Sequence, residues 1–144
     1  MKLGKRIAAL ELLQRVTQHK IDDLAAPLNR LRQEIADLTQ QHAKLQHSLE
    51  AEAYEVTLES APYLGRFIAA VQQQQHFLSL QIQSLNDRAQ TLEDEILGHF
   101  RDKKSLDSPL DSARDLQRLE AARRESSAND EIAITRRFPI THMP

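Results

Sequence analysis

Apolar residues in the first third of the chain recur at alternating spacings of three and four. The series runs Leu3, Ile7, Leu10, Gln14, Thr17, Ile21, Leu24, Leu28, Leu31, Ile35, Leu38, His42, Leu45, Leu49, and eleven of its 14 positions are apolar. A mean repeat of 3.5 residues keeps one stripe of a helix turned toward a partner helix, the pattern of a heptad seam. A second seam follows: Leu64, Ile68, Val71, Gln75, Leu78, Ile82, Leu85, Ala89, Leu92, Ile96, His99, Lys103, Leu106, Leu110, Ala113, apolar at twelve of 15 positions. In both seams Ile7 and Ile68 open the a positions, and the residue three further on is d. The pattern predicts a helix over about 3–55, a link at 56–61 and a second helix over about 62–126, followed by a short helical segment and a tail at 138–144.

Two long helices joined by a short link lie antiparallel. The expected fold is therefore all-α: one antiparallel two-helix coiled-coil domain spanning 1–137. Folding the chain about Leu58 sets Leu38 opposite Leu78, Ile35 opposite Ile82, Leu31 opposite Leu85 and Ile21 opposite Ile96. The polar interruptions coincide in the same alignment: His42 with Gln75, Thr17 with His99, Gln14 with Lys103. Polar groups facing Leu or Ile would go unsatisfied, so this alignment predicts an intramolecular hairpin with polar layers that set its register.

Several positions qualify that picture. Pro27 removes a backbone donor inside the first helix and should bend it. Gly98 and Pro109 mark weak points in the second, and Ser126-Ser127-Ala128-Asn129 reads as a weak break. Leu12, Leu13 and Val16 form a second small stripe beside the first seam.

Composition agrees with a narrow seam rather than a layered core. Among 144 residues there are 3 Gly, 5 Pro, no Cys, no Trp and 4% aromatics. Without Cys there is neither a disulfide framework nor thiolate chemistry. A net charge of −2 gives no general attraction to nucleic acid. No glycine-rich phosphate loop, paired histidine motif or nucleophile–base pair stands out. The expectation is a non-enzyme with no catalytic residue, metal, cofactor or small-molecule substrate, working by contact with other proteins.

Charge is unevenly distributed. No Lys or Arg lies between Lys44 and Arg66, while Glu50, Glu52, Glu55 and Glu59 do. Lys2, Lys5 and Arg6 near one terminus, with Arg123, Arg124, Arg136 and Arg137 near the other, give the opposite end a mixed character together with Glu120, Glu125, Asp130 and Glu131. Different ends are thus suited to different partners.

Three local features carry a family resemblance: Pro62-Tyr63-Leu64-Gly65-Arg66-Phe67 at the entry to the second helix, Phe100-Arg101-Asp102-Lys103-Lys104, and the ending Asn129-Asp130-Glu131-Ile132-Ala133-Ile134-Thr135-Arg136-Arg137. With the helical layout they resemble the FliJ family of flagellar type III export proteins, relatives of the YscO/SctO secretion stalks. The resemblance implies a central stalk of the export ATPase hexamer, linking that ring to the cytoplasmic domain of the export gate. It also implies contact with export chaperones and a cytoplasmic place at the inner membrane. Carried to this chain, it implies an ATPase-facing set of Lys5, Arg6, Arg123, Arg124, Asp130, Glu131, Arg136 and Arg137, and a gate-facing set of Tyr63, Phe67 and Val71 with Tyr54 as a further candidate. Pro27 and Pro109 depart from the family pattern. The other reading is a coiled-coil scaffold or homodimeric tether with no ATPase partner.

Overall fold

A computed structural model of the chain describes residues 2–54, 59 and 61–137, with Arg137 described in its backbone only. Three helices follow in order: α1 (Lys2–Ala53), α2 (Ala61–Ser105) and α3 (Asp107–Arg137). No strand occurs among the described residues, so the fold is all-α as the heptads predict. Residues 56–58 and 60 of the expected link, and the expected tail, lie outside the described residues.

The helices contribute to two compact units. One contains Lys20–His99, and the other contains the chain up to His19 together with the chain from Phe100 onward. Within Lys20–His99, α1 and α2 pack as an antiparallel hairpin. Arg32 pairs with Glu93, and Gln46 accepts from Gln75 at 3.1 Å, so rising numbers on α1 meet falling numbers on α2. Leu28, Val71, Leu78, Leu85 and Ala89 are its most buried residues. In the other unit the start of α1 runs antiparallel to the end of α2 and to α3. Ile7, Leu110 and Ala113 form its buried cluster, flanked by Leu3 and Leu10.

Every one of the 29 seam positions read from the sequence is buried or partly buried. Burial is nonetheless shallow. Among the described residues no large side chain is less than 2% exposed, because a seam between two helices is one residue wide and water reaches both of its edges.

α2 and α3 are separate helices, where the sequence reading has one. The break falls at Leu106, and Pro109 explains it. A continuous helix needs residue 109 to donate to the carbonyl of Ser105, and proline has no N–H. The chain instead closes a tighter turn, Leu106 N–H to Lys103 O at 3.2 Å, and restarts with Leu110 N–H to Leu106 O at 3.1 Å. Pro109 then occupies the first turn of α3, where a missing donor costs nothing. Lys103 and Lys104 end α2 and Asp107 begins α3, each on the side of the break that its helix dipole favours.

The other weak points of the sequence do not interrupt a helix. Pro27 lies inside α1, which continues through it, and Gly98 lies inside α2. α3 runs unbroken through Ser126–Asn129 and is 31 residues long, not a short segment. Serine and asparagine weaken a helix without stopping one.

Candidate interaction surface

The polar seam residues do not meet as the sequence alignment pairs them. Gln75 donates through Nε2 to Gln46 rather than reaching His42. Gln14 donates to Asp107 Oδ1 at 2.7 Å, and Lys103 Nζ donates to Gln18 Oε1 at 2.8 Å; they do not bond each other. Thr17 Oγ1 turns back to the Leu13 carbonyl at 2.7 Å. Each cross-helix partner is an e position, four residues past a seam position, at the edge of its helix. Gln and Lys are long enough to leave the seam and satisfy their polar ends at that edge. Coincident polar layers were therefore not required, and the argument for register built on them fails.

The alignment itself shifts. Arg32–Glu93 and Glu11–Arg114 join e to e across the two helices, the latter at 3.3 Å. Helical side chains lean toward their own N-terminus, so on antiparallel helices such a pair converges on a level N-terminal to both residues. The contacts fit an alignment about three residues from the expected one, with a positions level with d positions. Ile35 then stands level with Leu85 and Leu38 with Ile82. Ile7 packs in one cluster with both Leu110 and Ala113.

The residues assigned to partners fall into distinct environments. Lys5 and Arg6 are exposed on α1, and Arg123, Arg124, Asp130, Glu131 and Arg136 are exposed on α3. From Asp115 to Arg136 every residue of α3 is exposed. Arg124 lies 3.8 Å from Glu120, one turn away, and both line a shallow groove with Lys2, Leu3 and Gly4. That groove brings the start of α1 beside α3. Arg137 closes α3, and its side chain lies outside the described residues.

On the hairpin side, Tyr54 is 91% exposed and Tyr63 72% exposed. Phe67 is half-buried. Val71 is a correction: it is only 6% exposed, because it holds a d position in the seam and faces α1. It cannot serve as a contact for a partner while the hairpin is folded. The exposed apolar residues that escaped the sequence reading include Phe77 and Leu80, three apart on one outward face of α2. Their signal was available, since both lie outside the a and d positions.

The described residues hold no group of three His, Cys, Asp or Glu side chains placed to bind a metal ion. None of the helices is long and apolar enough to cross a membrane. Comparison with known family models, curated proteins and solved structures finds no match to this chain.

Proposed function

We propose that this chain is a protein-binding stalk of a bacterial type III export apparatus, joining the export ATPase ring to the export gate beneath the inner membrane. The observation that carries this reading is the exposed length of α3. Twenty-two consecutive residues, Asp115 to Arg136, are all exposed in a helix whose earlier turns pack on α1. They include Asp130, Glu131 and Arg136 of the family-like ending. A stalk seated in a ring needs contacts that hold it without locking it. Exposed charges suit this, since each contributes only about 0–1 kcal/mol and is screened by salt. Export chaperones are further partners on this reading.

Tyr63, exposed in the first turn of α2, is the better gate-side anchor than Val71. Tyrosine buries a large apolar surface at low entropy cost and keeps a polar end, as interface anchors do.

The test is a pull-down against a purified export ATPase and the cytoplasmic domain of the gate. Reversing Arg123, Arg124, Arg136 and Arg137 to Glu should weaken ATPase binding and its stimulation, most at low salt, and spare gate binding. Tyr63→Ala should do the reverse. Loss of both partners by each folded variant defeats the two-ended arrangement. Binding of neither partner by the unmodified chain leaves the scaffold or tether reading.

A further inference from the structure

The exposed part of α3 has a face that complements itself when reversed. At about 100° per residue, Leu116, Leu119, Arg123, Ser126, Ser127, Asp130 and Ile134 share an arc of roughly 100°. All seven are exposed, with Leu116 at 49%, Leu119 at 47% and Ile134 at 59%. No ion pair joins Arg123 or Asp130 to another described residue. The face reads in one direction as apolar, basic, small, and then as small, acidic, apolar.

We infer that this face is a homodimer contact, in which α3 of one chain packs antiparallel on α3 of a second copy about a two-fold axis between Ser126 and Ser127. In that arrangement Leu119 meets Ile134 of the other copy, and Arg123 meets its Asp130. Each pair occurs twice by symmetry, as an isologous contact requires. The two serines lie at the centre, where small side chains let the helices approach. The neighbouring charges agree, because Arg124 is brought toward Glu131 of the second copy. A parallel arrangement would stack Arg123 on Arg123 and Asp130 on Asp130, so charge selects the antiparallel one.

This association needs no ATPase and stands apart from the stalk reading. If both hold, the dimer hides the surface assigned to the ring, and ring binding favours the single chain.

Sedimentation velocity on the full chain tests it, with circular dichroism to show that each variant stays helical. The unmodified chain should dimerise reversibly, more strongly at low salt. Asp130→Arg sets like charges together twice and should weaken dimerisation about tenfold. Combining it with Arg123→Asp restores opposite charges and should return most of the loss. The chain lacks cysteine, which allows a geometric check. Under mild oxidation Ser127→Cys should link two copies, whereas Leu116→Cys should not, since antiparallel copies place the two 116 positions about 30 Å apart. A chain that stays monomeric at all concentrations, a double variant no better than Asp130→Arg, or equal cross-linking at 116 and 127 would overturn the proposal.

Discussion

Gln75 donates to Gln46 across the hairpin at 3.1 Å, one turn beyond the histidine that stands in the α1 seam at 42. The relationship fixes how the seam tolerates polar residues: they escape sideways to an edge partner instead of pairing with one another. It also separates two alignments that differ by about three residues.

Cysteine pairs distinguish those alignments. Ile35→Cys with Leu85→Cys should close an intramolecular disulfide faster than Ile35→Cys with Ile82→Cys, because a bridge needs Cβ atoms about 4 Å apart. The rates are read from mass spectra after timed oxidation. Equal rates, or faster closure of the second pair, would restore the alignment read from the sequence.

Burial ranks the cost of truncation. Leu28 is 6% exposed and Leu31 only partly buried, although both are seam leucines. Leu28→Ala should cost about 2–4 kcal/mol, and Leu31→Ala roughly half as much because Leu31 lines an open groove with Pro27, Arg30 and Leu92 that can relax. Denaturant melts measure both. A larger loss for Leu31 would mean that the seam is packed differently.

Gly98 offers a stabilising change. It lies within α2, and a Cβ added there meets nothing within 4 Å. Gly98→Ala should raise stability by about 0.5–1 kcal/mol through reduced backbone freedom in the unfolded chain. A fall in stability would show that the site is less open than its geometry indicates.

Lys103 tests the role of a polar seam residue. Its ammonium reaches Gln18 at the edge, and its stem lies in the seam. Lys103→Leu should stabilise the fold by about 1 kcal/mol, because an apolar residue fills the same place without desolvating a charge. Thermal melts give the sign, and destabilisation would assign the Gln18 contact a structural role.

The positions of the seam were readable because a period of 3.5 leaves a strong trace: Ile7, Leu28, Leu78 and Leu110 all proved buried where the pattern put them. The alignment between helices was not readable. It depends on side-chain length and lean, and Gln75 or Lys103 can satisfy itself at any of several levels. The break at Leu106 was half visible in Pro109, since a proline shows that a bond is lost but not that the chain restarts one turn earlier. α3 was underestimated because its second half carries no seam, and nothing local in Ala121–Arg136 marks a helix apart from good propensity. Among the surface residues, Tyr63 and Arg123 are exposed, as a contact role requires. Val71 was misplaced because a seam residue was also counted as a contact.

The cross-helix contacts are nested. Gln46–Gln75 spans 29 residues, Arg32–Glu93 spans 61, and Gln18–Lys103, Gln14–Asp107 and Glu11–Arg114 span 85, 93 and 103. A nested set gives assembly a preferred order. Closing the shortest loop costs least entropy, and each contact once made shortens the loop that the next must close. The chain therefore gains its outer contacts as small successive increments, although their separations in sequence are large. Mutations near Gln46 and Gln75 should slow folding, while those near Glu11 and Arg114 should mainly hasten unfolding.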